Sequence, residues 1–333
     1  MNKPELYLGL DIGSVSVNLV LIDAKYNVLE KLYLRTQGKP VPVLREGLEM
    51  LSRSMPAGCV IAGVGATGSG RELANALVDA DVVKNEITAH GMAVLHCIPD
   101  AQTILEIGGQ DSKIILLRNG VVSDFAMNTV CAAGTGSFLD RQAARLNVPI
   151  QEFGALALKS RSPVRIAGRC AVFAESDMVH KQQMGCSSED IIKGLCEALV
   201  RNYLNNVGKG KEILPQIVFQ GGVAANAGIK KSFEEALGRP VIVPEHYDVM
   251  GALGAGILAQ KQMQKGGMTR FRGFHSIQED FHARTFECNG CSNLCEVVEI
   301  SSGGSIKARW GDRCGKWAMS AAQEHQVQAD SLA

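Results

Sequence analysis

Short, almost unbroken apolar runs alternate along this chain with helix-spaced apolar stripes, a pattern of strands interleaved with helices. Residues 6–13, Leu-Tyr-Leu-Gly-Leu-Asp-Ile-Gly, predict a buried strand ending in an acid and a tight turn. Val17 to Asp23 reads as a second strand, Asp23 to Asn27 as a turn, and Val28 to Leu34 as a third strand. The stretch from Thr103 to Val122 repeats the acid-Ile-Gly bend, a second strand, a polar turn and a third strand. Laying Glu106-Ile107-Gly108 on Asp11-Ile12-Gly13 aligns the following apolar runs without a gap, so the pattern predicts two duplicated lobes with a ligand cleft between them.

Between the meanders, Val60 to Gly68 reads as a core strand ending in a glycine turn, followed by a helix from Arg71 to Leu77. Cys131-Ala-Ala-Gly134-Thr135-Gly136 leads into a helix with Phe138, Leu139, Ala143 and Leu146 on one face. Gly168 to Asp177 is a second glycine turn entering a helix, and Ser187 is an N-cap signal for a third. Ile217 to Asn226 reads as strand, glycine turn and helix, Val249 to Gln260 as a small-residue apolar helix, and Gln264 to Thr269 as a linker. The expected organisation is a first lobe over 1–95 completed by a helix at 248–262, a second lobe over 96–247, a cysteine-rich appendage over 267–320, and a flexible tail over 321–333.

Composition narrows the function. Of 333 residues, 46% are apolar and 20% charged, enough for a large core. Lys plus Arg equals Asp plus Glu at 34 each, so no net field gathers nucleic acid or anionic lipid, and neither is an expected partner. Without an export signal or a membrane-length apolar run, a cytoplasmic location is expected, where ten cysteines point to metal or redox chemistry before disulfides.

The bends Asp11-Ile12-Gly13-Ser14, with Ser16 beyond, and Gly108-Gly109-Gln110-Asp111 offer backbone N–H groups to phosphates and carboxylates to hydrated Mg²⁺. Taken alone, Asp11 could equally cap its own turn. With the later Gln220-Gly221-Gly222-Val223 segment, the set resembles the two phosphate segments and the adenosine segment of the actin/hexokinase-like (ribonuclease H-like) superfamily, over residues 6–260. The resemblance implies an α/β two-lobe ATPase. In it Asp11 positions Mg²⁺ and water, Gln110 or Asp111 orients the attacking water, and Gly221 and Gly222 pack on the purine and ribose of ATP.

Two cysteines sit at glycine-rich helix entrances, Cys131 before Gly134-Thr135-Gly136 and Cys170 after Gly168. A helix N-terminus stabilises a thiolate, or an anionic thiolate-ligated cluster. The bland alternative is a small core residue in a tight turn. The segments Asn128 to Asp140 and Cys170 to Asp177 resemble signature segments of 2-hydroxyacyl-CoA dehydratase activators and related benzoyl-CoA reductase subunits. Those activators usually carry Thr and Lys near the first bend, where this chain has Val15 and Asn18, which implies fewer direct phosphate contacts and slower hydrolysis or weaker nucleotide affinity. The resemblance implies one [4Fe-4S] cluster held by four cysteines on the axis of a homodimer. It also implies ATP-gated donation of low-potential electrons to an iron–sulfur acceptor protein, recharged by ferredoxin or flavodoxin, under anaerobic conditions. A small-molecule (sugar-type) kinase and a nucleotide-switched scaffold are the alternatives on this fold. Neither would carry an iron–sulfur chromophore.

Outside the ATPase core, Cys288, Cys291 and Cys295 precede Cys314, with a strand-turn-strand pattern (297–300 and 305–310) between them. The layout is that of a small zinc ribbon, so Zn²⁺ is the favoured ligand, with a second cluster or four free thiols as alternatives. Cys59 and Cys97 read as inert core residues, and His90 and His96 as helix residues satisfied locally.

Overall fold

The computed structural model describes residues 3–274 and 280–318. The expected tail at 321–333 lies outside them. In chain order the elements are β1 (Glu5–Ile12), β2 (Ser16–Asp23), β3 (Val28–Arg35), α1 (Pro40–Ser54), β4 (Val60–Thr67), α2 (Arg71–Val78), β5 (Val82–Val83) and α3 (Glu86–Cys97). There follow β6 (Thr103–Ile107), β7 (Ser112–Arg118), β8 (Val121–Asn128), α4 (Gly136–Arg145), α5 (Ile150–Ala157), α6 (Ala171–Gln183) and α7 (Ser188–Asn206). The chain continues through β9 (Ile217–Gln220), α8 (Ala227–Leu237), β10 (Val241–Ile242), α9 (Met250–Met263), β11 (Phe281–Glu287), β12 (Glu296–Ser302) and β13 (Ser305–Trp310).

Two five-stranded sheets carry the same plan, in orders β3-β2-β1-β4-β5 and β10-β9-β6-β7-β8. In each, an antiparallel meander (β1-β2-β3, β6-β7-β8) is joined on its first strand by a parallel one, β4 on β1 and β9 on β6. The duplication holds to the residue: Asp11 faces Asn18 across β1 and β2, and Glu106 faces Lys113 across β6 and β7. The central strands are apolar on both faces because helices cover both sides. Asn85 caps α3 at the Thr88 N–H, and Ser187 caps α7 at the Asp190 N–H, the first-turn donors an N-cap satisfies.

Helix α9 is buried nearly all round and packs on β1, β4 and α3. Its backbone comes so close that a Cβ on Gly9 would stand 1.8 Å from the Ala252 carbonyl oxygen. After it, the chain crosses back over the first sheet. Thr269 Oγ1 donates to Asp81 at 2.7 Å, Arg272 pairs with Asp79 at 2.7 Å, and Phe271, Phe274 and Phe281 join the core formed by β1, α1 and α2. The appendage is a three-stranded antiparallel sheet, β11-β12-β13. The hairpin of β12 and β13 was expected, whereas β11 was not. Among the described residues no helix is long and apolar enough to cross a membrane.

Candidate functional site

The two bends are built alike. The Gly13 N–H donates to the Ser16 carbonyl at 2.9 Å, and the Gly108 N–H to the Asp111 carbonyl at 3.0 Å. Each parallel strand ends beside its bend in a glycine with positive φ, Gly68 at +89° and Gly221 at +88°. A Cβ at Gly68 would meet Asp11 Oδ1 at 2.4 Å, and one at Gly221 would meet the Ile107 carbonyl oxygen at 2.4 Å and Glu106 Oε1 at 2.7 Å. Only glycine tolerates both the conformation and the approach.

One cavity between the sheets is lined by Asp11, Gly13, Ser14 and Ser16 from the first bend and by Gly108, Gly109, Gln110 and Asp111 from the second. Gly221 and Gly222 close its far wall. An adjoining cavity continues past Gly222 to Val223 and Gly136, flanked by Tyr33 and Tyr247. Gly134 and Thr135 lie outside both linings. Gly134 is pressed on Asn202, where a Cβ would stand 2.7 Å from Oδ1, and the buried Thr135 hydroxyl donates to the Ala132 carbonyl at 2.8 Å.

Charge is concentrated at the floor of the first cavity. Lys113, buried, donates to Glu106 at 3.1 Å and to Asp111 at 2.8 Å. Burial pushes Asp11 up to about 6, with Lys113 pulling it back, and pushes Glu106 up to about 7 against the same lysine. Burial pulls His90 down to about 3, leaving a neutral ring whose Nδ1 lies 2.8 Å from Gln220 Nε2. Asn18 Oδ1, on the cavity lining, and Thr67 Oγ1, Ser112 Oγ and Gln220 Oε1, at the strand ends beside the two bends, are buried without a protein partner. The orphaned Asn18 acceptor in a lining that also holds Asp11, Glu86 and Asp111, with Lys113 as counter-charge, suits a hydrated divalent cation and a polyphosphate. The sequence pattern assigned Glu106, Lys113 and Glu86 no role in the site and set His90 on a helix as a locally satisfied residue. The signal for Lys113 lay in the internal repeat, which sets it on Asn18.

A second set of functional groups opens to the surface. Cys131 stands at the start of a short 3₁₀ turn and Cys170 at the N-cap of α6, both half-buried and neither with its side chain used as a cap. Cys131 Sγ lies 3.8 Å from the Arg169 carbonyl, next to Cys170, and the Asn202 amide bridges Cys131 Sγ at 3.5 Å to the Gly168 carbonyl at 2.7 Å. Around them are exposed apolar side chains: Val130 at 95%, Val172 at 69% and Phe173 at 66%. In the appendage Cys288 is buried, Cys295 half-buried, and Cys291 and Cys314 exposed. Among the described residues no three metal-ligating side chains converge on one point. Cys97, expected in the core, is exposed at the end of α3, and His90 finds its partner 130 residues away instead of locally.

Twin acid-tipped bends around one cleft, on two sheets of the same topology, define a nucleotide-hydrolysing protein of the actin/hexokinase-like fold. The chain belongs to the BadF/BadG/BcrA/BcrD ATPase family, whose model matches residues 8–259, and it is an ATPase. It is 34% identical over 262 residues to the (R)-2-hydroxyglutaryl-CoA dehydratase activating ATPase of Acidaminococcus fermentans, covering 78% of this chain and 98% of that one. The crystal structure of that organism's dehydratase component A matches with a TM-score of 0.71 at 31% identity, over 78% of this chain and 99% of the other. The 2-hydroxyisocaproyl-CoA dehydratase activator of Clostridium difficile, solved with bound ADPNP, matches with a TM-score of 0.68 at 31% identity, over 78% and 96%. The appendage lies beyond the matched residues.

Proposed function

We propose that this ATPase is an electron donor. ATP hydrolysis in the cleft drives low-potential electrons to a partner iron–sulfur enzyme, a 2-hydroxyacyl-CoA dehydratase or a related cluster-containing reductase, with ferredoxin or flavodoxin upstream. One observation carries the reading: Cys131 meets the Gly168–Cys170 turn at the surface, each thiol at a helix entrance within an apolar collar. One chain offers two thiols there, half the set that a [4Fe-4S] cluster takes. A homodimer with the collar at its axis supplies four. Held there, such a cluster would supply a one-electron centre of low potential.

The chain's own residues link cleft and collar. The Gly136 N–H donates to the Gly108 carbonyl at 2.9 Å, and the Ser137 hydroxyl to the Gly109 carbonyl at 2.6 Å, so the second bend is fastened to the start of α4. The turn just before α4 carries Cys131, and Asn202 ties that turn to the Cys170 segment. Asp11 and Asp111 would hold hydrated Mg²⁺ and Gln110 would orient water. A γ-phosphate gripped by the second bend then biases the spacing of the two helix entrances through its different affinity for the two arrangements. Zn²⁺ on Cys288, Cys291, Cys295 and Cys314 is the reading of their spacing. It requires the exposed Cys291 and Cys314 to turn inward, and uptake of one zinc per chain tests it.

The primary test is anaerobic purification. Brown protein with iron and sulfide for one cluster per two chains is expected. A colourless, iron-free monomer with intact ATPase activity would overturn the electron-donor reading.

A further inference from the structure

The duplicated meanders place the acidic tip of one central strand opposite a neutral residue and the other opposite a cation. At the first, Asp11 faces Asn18, an uncharged residue whose Oδ1 finds no protein partner. At the second, Glu106 faces Lys113, at the same register position. Both pairs line one cavity. There Asp11, Glu86, Glu106 and Asp111 gather with Lys113 as the lysine of the lining. Lys113 is 4% exposed, 3.1 Å from Glu106 and 2.8 Å from Asp111, and it is the strongest charge acting on Asp11.

We propose that Lys113 is the phosphate-binding cation of this cleft, holding the outer phosphates of ATP, and that the neutral Asn18 leaves it alone in that role. The inference rests on the nucleotide reading of the cleft and assigns a residue within it. Two carboxylates of its own meander hold the ammonium at the cavity floor, pre-set in position. Asp111 is partly exposed at 36%, so an incoming phosphate can displace it while buried Glu106 keeps its hold. Lysine suits this exchange because its three donors can serve Glu106 and a phosphate oxygen together. At the first bend Asn18 brings no charge, and its unpartnered Oδ1 is an acceptor that a hydrated cation or water can fill and a phosphate oxygen cannot.

The test is calorimetric binding of adenosine, ADP and ADPNP, each with excess Mg²⁺, to the full chain. Lys113→Met should weaken ADPNP about ten- to a hundredfold, the range of a lost charge-assisted bond, and leave adenosine within about twofold. Adding Asn18→Lys to that variant should restore about tenfold for ADPNP only, since it returns a cation to the equivalent position across the cleft. If Lys113→Met does not fold because Glu106 is left unpaired, Lys113→Met with Glu106→Gln removes the buried charge as well, and the same pattern is expected. Equal loss for adenosine and ADPNP would make Lys113 a structural residue, and unchanged ADPNP affinity would remove it from the phosphate site. Either result overturns the assignment. Loss of binding to every ligand in the wild type would instead strike the nucleotide reading itself.

Discussion

The Arg35 guanidinium lies 3.1 Å from the Asp140 carboxylate, joining the last residue of β3 to α4 across the mouth of the cleft. Lys31 lies beside it, 2.9 Å from Asp248, which lines both cavities. Both pairs are partly exposed, so each is worth at most about 1 kcal/mol of stability. Their position makes them matter more for opening than for folding. Alanine at Arg35 and Lys31 together should speed nucleotide release severalfold in stopped-flow displacement, while the unfolding free energy moves by no more than about 1–2 kcal/mol. Unchanged release rates would show that the mouth is not held by these pairs.

Asp11→Ala should reduce ATP hydrolysis to background and leave any iron–sulfur chromophore intact. The carboxylate lies in the cleft, whereas Cys131 and Cys170 lie at the surface collar. Wild-type turnover in the variant would remove the first bend from the chemistry.

The nucleotide-free protein should lose stability between about pH 4 and pH 7. Folding keeps protons on Asp11 up to about 6 and on Glu106 up to about 7, protons that the unfolded chain releases near pH 4. The contribution is therefore complete below the unfolded value and declines as pH rises through the folded one. Each shift of about two pH units sets a ceiling of roughly 3 kcal/mol. Urea unfolding across this range should show the decline, and Asp11→Asn with Glu106→Gln should flatten it. A slope that persists in the double variant would locate its source elsewhere.

Cys131→Ser or Cys170→Ser should each remove two of four cluster ligands from a dimer, because symmetry repeats the change. Iron loss, a weaker dimer and lost electron donation should follow, with ATP affinity retained. Sedimentation and iron analysis of the serine variants and of air-exposed wild type should give one common state. A serine variant with full iron content would rule out the bridging arrangement.

The repeat of the acid-Ile-Gly bend made both meanders legible before any coordinates, since strands buried on both faces leave long apolar runs. The same repeat sets Lys113 on Asn18, whereas Gly68 and Gly221 stand outside its gap-free span and are matched only by the folded positions of β4 and β9. His90 lies on a helix as expected, but its partner Gln220 sits on a strand far along the chain and only folding joins them. Cys97 was misplaced because its apolar neighbours continue a buried helix whose last residue turns outward. Strand β11 escaped because its mostly exposed, polar residues give a weak apolar signal.

Gly9 and Gly65, on neighbouring strands of the first sheet, press directly on the backbone of α9, near the other end of the ATPase. On the ribosome, residues 5–67 are therefore made long before the helix that seals one face of their sheet. At about 5–20 residues per second that face stays open for roughly ten to forty seconds. The first sheet thus matures last, after the second has its own helices, and a nascent chain stalled short of residue 263 presents an unsealed apolar sheet to chaperones.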